Sequence, residues 1–432
     1  MRNAYTRWTS CAKLSFHSKP MLSNTPFIKH IGSFVAILLM PVFVWLALQQ
    51  HATIPQPYAF LNQDFNLLVA VSLVITSGIC SCLICWLVLW SSHLHEHLTH
   101  DHVNSGPQKM HTEPTPRIGG LALAIGLGVS VLLLNFIQSR FQADFPFNVD
   151  LYSLVLLSAT PAFLGGIVED LTKRVGPLDR LMLTMASGAF AAYLFGGILT
   201  RLDMPWLDGI LVATPLLAIL FTAFAVAGVA NSINIIDGFN GLSSGYSIIV
   251  LLGLAAVAFF AQDNLVLQLS CALLGALVGF FLWNWPNGKL FLGDGGAYLM
   301  GFLLAELSIL LVIRNPEVSA WFPLVLMAYP ITETLYSVYR RKYVHDTAPG
   351  QPDRHHLHHL IYDKIVILPN PKLQLPENGT VANAKVAKYL WIPVFLITGL
   401  AVQHWDKILM LYALFLLTVL SYILCYKKLT ST

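Results

Sequence analysis

The sequence predicts an all-α, polytopic transmembrane helical protein with about 11 to 12 membrane helices. Composition is the first reason. Of 432 residues, 56% are apolar and only 11% are charged, whereas a soluble domain carries about 25% charged residues. Apolar runs of spanning length recur from end to end, and a helix needs about 20 such residues to cross a bilayer. Lys and Arg are also distributed unequally between the two sides that those runs define. A formal net charge of only +3 argues against nucleic acid as a partner.

The runs cover 31–50, 66–90, 118–138, 151–168, 181–199, 209–230, 242–261, 265–283, 297–313, 319–337, 389–404 and 408–426. The first follows a polar stretch bearing Arg2, Arg7, Lys13, Lys19 and Lys29, and its length makes it a spanning helix rather than a cleaved signal. The expected organisation is a cytoplasmic segment over 1–30, a membrane domain over 31–426 and a cytoplasmic tail over 427–432. With the N-terminus inside, all 25 Lys and Arg residues except Arg140, Arg201, Arg314 and Lys407 fall on the cytoplasmic side. The same side collects the polar segments 93–117, 169–180, 231–241, 284–296 and 338–388. One site on one face is therefore expected. A transporter would more often carry ionisable groups near mid-span, where Glu306 is the main example. Cys80, Cys82 and Cys85 share one apolar run and read as packing residues.

Four of these segments carry the chemistry. Glu169 and Asp170 end a helix, with Lys173, Arg174 and Arg180 close behind. Adjacent carboxylates there can bind Mg²⁺ or orient a phosphorylated substrate, or can be solvated charges that stop the helix. Asn231, Asn234 and Asp237 are spaced by three and share a helical face. Gly238 and Gly241 then allow a sharp turn. A membrane helix end gains little from such a row without a polar ligand. Asn284, Lys289 and Asp294 lie in a Gly-rich loop before another helix, where a carboxylate can hold Mg²⁺ against a diphosphate. Finally, Asp353-Arg-His-His-Leu-His-His359 places four histidines beside Arg354. Zinc and phosphate are both open readings, and the arginine with no nearby cysteine favours an anion. The looser set His93, His95, His97, His100 and His102 reads as interfacial decoration.

In order and position these segments resemble the polyprenyl-phosphate N-acetylhexosamine-1-phosphate transferase superfamily, of glycosyltransferase family 4 type. His111-Thr-Glu-Pro-Thr-Pro-Arg-Ile-Gly-Gly120 looks like its first motif, and Glu169-Asp170 sits where it has Asp-Asp. Asn231 to Leu242, Asn284, Phe291-Leu-Gly-Asp294 and His356-Leu-His-His359 resemble the others. The resemblance implies about ten or eleven helices and a Mg²⁺-dependent enzyme, with Mn²⁺ as the alternative metal, in the bacterial inner membrane. The active site would face the cytoplasm. It implies transfer of N-acetylhexosamine-1-phosphate, GlcNAc-1-phosphate first, from a UDP-sugar to undecaprenyl phosphate, releasing UMP and initiating a cell-envelope glycan such as O antigen of lipopolysaccharide.

By the same resemblance Asp294 would ligate the metal. Glu169, Asp170, Asp237, His356, His358 and His359 would be catalytic. Lys109, Arg117, Asn231, Asn234, Asn240, Asn284 and Arg354 would bind substrate. A homodimer is compatible with the resemblance. Glu169 replaces the usual first Asp and keeps its charge, whereas Asn240 replaces an acid that the family often has. The alternatives are the phospho-MurNAc-pentapeptide branch, a transporter, or a non-catalytic relative. The Pro116-Arg-Ile-Gly-Gly120 and Asp353-to-His359 segments look like the simple-sugar branch.

Overall fold

Apolar helices in lipid must satisfy their own backbone, and only helical bundles or closed barrels do so. This chain takes the helical route. The computed structural model describes residues 58–101, 114–140, 149–344, 346, 354–370, 373 and 379–431. The chain divides into the units Met1–Gln56 and Pro57–Thr432, and the first lies outside the described residues. The expected helix over 31–50 falls there.

The second unit begins with α1 (Tyr58–Trp90), the short α2 (Ser92–Thr99) and a two-residue strand β1 (His100–Asp101). Strand β2 (Thr115–Pro116) pairs antiparallel with β1, His100 opposite Pro116. Then come α3 (Gly119–Arg140), α4 (Val149–Ser158), α5 (Thr160–Thr172), α6 (Pro177–Phe195), α7 (Pro205–Ala213), α8 (Pro215–Ile236), α9 (Leu242–Phe260) and α10 (Asn264–Asn284). The remainder is α11 (Gly293–Arg314), α12 (Trp321–Leu326), α13 (Ala328–Tyr343), α14 (Leu357–Ile361), a π-turn over Tyr362–Ile367, α15 (Gly379–Gln403) and α16 (Ile408–Ser431). Proline in the first turn starts α5, α6, α7 and α8, where its missing N–H costs no hydrogen bond.

Nine stretches among the described residues are long and apolar enough to cross a membrane. They agree with nine of the expected spans. The expected span 181–199 appears as α6, which stops at Phe195 because Gly196 adopts a left-handed φ of 73°. The expected span 319–337 is broken between α12 and α13 at Met327. The span expected over 209–230 begins as α7, breaks at Thr214 and continues as α8 to Ile236.

Helix α11 is the hub. Its membrane window is 94% buried inside the protein, against 17% for α16, so α11 is wrapped by neighbours while α16 presents Leu409, Leu416 and Leu424 outward. Around α11 stand α3, α5, α8 and α9. Close approach at its N-terminal end depends on glycine: a Cβ on Gly166 of α5 would lie 2.5 Å from Gly295 Cα.

This arrangement sorts polar groups by end. The N-terminus of α11 meets the C-termini of α5 and α8, where the motifs lie. The other end, about 33 Å away at 1.5 Å per residue, carries structural ion pairs. Arg314 Nε donates to Asp263 at 2.7 Å, and Arg201 Nη1 to Asp203 at 2.9 Å. Two of the four basic residues on the non-cytoplasmic side by the sequence reading are thus committed to holding loops.

Candidate active site

The centre of the site is built where α11 begins. Gly293 has φ 75°, and a Cβ there would lie 2.5 Å from Asp170 Oδ2. Only glycine fits that turn without strain. The turn aims the first N–H groups of α11 at Asp170 on α5: Asp294 N–H donates to Oδ1 and Gly295 N–H to Oδ2, both at 2.9 Å. Asp170 thereby caps a helix start whose N–H groups would otherwise be unpaired, and its charge complements the helix dipole.

The segment after β2 is threaded against the same turn. Phe291 N–H donates to Pro116 O, and Gly119 N–H to Phe291 O, each at 2.9 Å. That ladder delivers Arg117. Its Nε lies 3.2 Å from Asp170 Oδ1 and its Nη2 2.6 Å from Asp294 Oδ1. Arg180, from the first turn of α6, pairs with Asp294 Oδ2. Asn234 Nδ2 donates to Asp294 Oδ1 at 3.2 Å. Asp294 is therefore the point on which α3's leading segment, α5, α6 and α8 converge. Arg117 bridges Asp170 and Asp294 while Arg180 pairs with Asp294, so two guanidinium groups and two carboxylates form one ion-paired cluster.

One turn beyond Asn234, Asp237 accepts a hydrogen bond from Ser243 Oγ. Burial pushes its carboxyl up to about 6, against the pull of that hydrogen bond and of Arg117. Gly238 follows, and a Cβ there would sit 3.3 Å from His358 Nε2. Phe239 packs edge-on against His358 and His359, with ring centroids 5.6 and 5.2 Å apart. The histidine helix α14 thus abuts the end of α8. Burial, reinforced by His359 and His356, pulls His358 well below the usual imidazole range, so it is neutral at pH 7. His356 stacks on His358 at 5.3 Å and shares its Nδ1 with Glu333 Oε1 at 2.9 Å.

Other sequence-chosen residues hold the frame. Asn231 donates to Ala227 O at 2.8 Å and lies 3.4 Å from both Thr184 Oγ1 and Tyr298 Oη. Asn284 Oδ1 accepts from Gly241 N–H at 2.7 Å while its Nδ2 donates to Leu290 O at 2.9 Å, which ties the turn after α8 to the loop after α10. Asn240 Nδ2 donates to Pro286 O at 3.1 Å, and its N–H donates to Asn383 Oδ1 at 2.7 Å. Glu169 accepts from Val175 N–H at 2.7 Å, closing the loop after α5. Arg354 lies on the surface, 3.4 Å from Asp363.

Lys109 lies outside the described residues. His95 is engaged by Thr99 Oγ1 at 2.6 Å and Val88 O at 3.2 Å, a brace between α1 and α2. Among the described residues no group of three or more His, Cys, Asp or Glu side chains is placed to hold a metal. Glu306 lies buried about 18 Å along α11 from Asp294.

Sequence reasoning missed Glu333 and Arg341. Arg341 Nη2 lies 3.2 Å from His356 Nε2. The available signal was an acid inside an apolar run, at Glu333, which in a membrane helix points to a polar partner.

The family description "Glycosyl transferase family 4" matches residues 152–312, the stretch that supplies Asp170, Arg180, Asn234, Asp237, Asn284 and Asp294. Over that stretch the chain is similar to this family. It is 29% identical over 261 residues to a Bacillus subtilis protein named as a probable undecaprenyl-phosphate N-acetylglucosaminyl 1-phosphate transferase, covering 58% of this chain and 67% of that one. It is 28% identical over 278 residues to the decaprenyl-phosphate N-acetylglucosaminephosphotransferase of Mycolicibacterium smegmatis, covering 58% and 66%. It is 28% identical over 217 residues to the phospho-N-acetylmuramoyl-pentapeptide-transferase of Streptococcus uberis, covering 48% and 64%. The matches thus span about two thirds of these relatives. The family match covers the helices from α4 to α11, while Arg117 precedes it and Glu333, Arg341 and the histidine helix lie beyond residue 312.

Proposed function

We propose that this protein is a UDP-sugar:polyprenyl-phosphate sugar-1-phosphate transferase, and that it moves GlcNAc-1-phosphate from UDP-GlcNAc to undecaprenyl phosphate with release of UMP. The observation that carries this reading is the convergence of Arg117, Arg180 and Asn234 on Asp294, at a helix N-terminus capped by Asp170. Two arginines and an amide gathered at one end of a membrane bundle suit the anions that a diphosphate donor and a lipid phosphate would bring. The names of the relatives support the same reaction class. The Lys and Arg asymmetry supports a site on the cytoplasmic face of a bacterial inner membrane.

In this reaction an oxygen of the lipid phosphate attacks the β-phosphorus of the donor. The bond from that phosphorus to the bridging oxygen breaks, and UMP leaves. The lipid phosphate is already largely ionised at pH 7, its second pKa lying near about 6. The chain's main task is therefore to hold two anions together. Arg117 and Arg180 would receive diphosphate oxygens, and Asn234 would orient them. The acceptor would bind beside the histidine helix that abuts Gly238. Asp237, half-buried beside them, can take a proton from the acceptor or orient it.

A metal fits this donor set on one condition. Asp294 alone supplies the carboxylate, and Mg²⁺ is commonly bound through one or two carboxylates together with substrate phosphates and waters. Asp294 is the residue that would hold such a Mg²⁺ ion, shared with the oxygens of the donor's diphosphate. Such an ion would neutralise charge on the departing UMP.

Purified protein given Mg²⁺, undecaprenyl phosphate and one donor at a time provides the test. Transfer from UDP-GlcNAc or its 4-epimer should exceed transfer from UDP-MurNAc-pentapeptide. The reverse order would move the protein to the pentapeptide branch, and no transfer from any donor would overturn the reading.

A further inference from the structure

We infer that Glu306 and the broken end of α6 form a binding site for one monovalent cation inside the membrane bundle. Glu306 lies on α11 with zero exposure. Among the described residues, neither of its carboxyl oxygens has a hydrogen-bond partner. Burying such a group alone is costly, and an ionisable residue inside a membrane bundle marks a site for an ion, a proton or a ligand. The basic residues of the nearest elements are committed elsewhere. Arg314 pairs with Asp263, and Arg180 with Asp294. Arg201 pairs with Asp203 and donates to the carbonyls of Val312 and Val318.

The carboxyl faces unwound backbone. After α6 ends at Phe195, Gly196 N–H returns to Ala192 O at 3.1 Å and Ile198 N–H to Gly196 O at 2.8 Å. Leu199 N–H turns away to Thr222 Oγ1 at 2.9 Å. Between them Gly197 is buried, and a Cβ there would lie 3.0 Å from Glu306 Oε2. The carboxyl is therefore packed directly against the turn that ends α6. The last carbonyls of a helix lack intrahelical donors and carry about half a negative charge. Non-helical backbone at membrane depth persists where it is buried in protein or lines a cavity, and broken helix ends of this kind use their carbonyls to coordinate sodium or protons. Gly196 and Ile198 also line a cavity of about 350 Å³ together with Thr200, Pro215 and Ile313, which gives the turn an approach from the end of the bundle that carries Arg201.

The donor set selects the cation. One carboxylate cancels one positive charge, and the remaining oxygens are neutral carbonyls. Mg²⁺ gives up its waters reluctantly, and Ca²⁺ takes about six to eight oxygens. A bound monovalent ion would tie the end of α6 to the hub helix α11, and would stabilise the folded bundle by mass action.

The experiment melts purified wild type, Glu306→Gln and Gly197→Ala in detergent, in sodium chloride or N-methylglucamine chloride at equal ionic strength. Sodium should raise the wild-type melting temperature by at least about 2 °C and leave Glu306→Gln unmoved. Gly197→Ala keeps the carboxyl but crowds it, and should raise the sodium concentration for half the effect about tenfold. Infrared difference spectra on sodium addition give a readout that needs no melting: wild type should show a change in a carboxylate stretch that Glu306→Gln lacks. If Glu306→Gln fails to fold, the Gly197→Ala midpoint decides. A sodium shift that persists in Glu306→Gln, an unchanged midpoint in Gly197→Ala, or no sodium effect in wild type, as for a carboxyl that holds only a proton or water, would overturn the inference.

Discussion

Asp170→Asn is the substitution whose consequence can be worked out most fully. The wild-type carboxylate accepts two backbone N–H groups of α11 at 2.9 Å each and lies 3.2 Å from Arg117 Nε. Its side chain is wholly buried. Asparagine has one acceptor oxygen, so one N–H of Asp294 or Gly295 must face an NH₂ group. A buried donor left unsatisfied costs about 1–3 kcal/mol, and a hydrogen bond to a charged group contributes about 1.5–3 kcal/mol. With overlap between those two figures, a loss of about 3 kcal/mol is expected, together with a guanidinium freed to swing. Because Asp170 sets the direction of Asp294, the same displacement reaches the site. Transfer should fall by about a hundredfold, the usual cost of losing one oriented electrostatic group in a site. Thermal unfolding in detergent and initial rates of lipid labelling measure the two effects. A variant with wild-type melting and wild-type rate would refute the capping role and, with it, the geometry assigned to Asp294.

Four further outcomes follow from the same site. Asp294→Asn removes the charge that holds Arg117 and Arg180, so transfer should fall at least about a hundredfold, with weaker Mg²⁺ dependence of UDP-GlcNAc binding in a protein that still folds; wild-type turnover would remove Asp294 from the site. Glu169→Gln keeps an acceptor for Val175 N–H and should retain most activity; a loss matching that of Asp170→Asn would show that the Glu169 charge acts in the reaction. Asp237 takes up its proton near about 6 in the folded protein and near about 4 when unfolded, so stability relative to Asp237→Asn should decline as pH rises from about 4 to about 6; a parallel pH dependence of the two proteins would contradict this. Cysteines placed in 338–388 should be labelled from the cytoplasmic side and one beside Arg201 from the other; the opposite pattern would invert the site.

The bundle was legible because its signal is compositional. Nine membrane-length helices among the described residues repeat what hydropathy says, since the bilayer leaves few alternatives. The breaks at Gly196 and Met327 were less legible, because the flanking apolar residues on each side read as one run. At the site, the motif residues were visible as polar groups where lipid-facing ones were expected. What each does was not visible. Asp170 and Asn284 share the look of ligand-binding residues, yet Asp170 caps α11 and Asn284 ties two loops together. Glu333 and His356 lie 23 residues apart, across a loop, and nothing in the spacing announces their contact. Arg341 is one of three consecutive basic residues, Arg340 to Lys342, at the end of α13, and only packing distinguishes it from buried Arg340.

In the proposed reaction the bond broken joins the β-phosphorus to UMP, so that sugar and phosphate travel together. UDP-GlcNAc labelled with ³²P at the β-position, incubated with purified protein, Mg²⁺ and undecaprenyl phosphate, distinguishes this from every other use of the donor. The expected result is that ³²P enters the organic phase with the sugar while unlabelled UMP appears in the water. Sugar in the lipid with ³²P left behind as UDP, or no label in lipid under any condition, would contradict it.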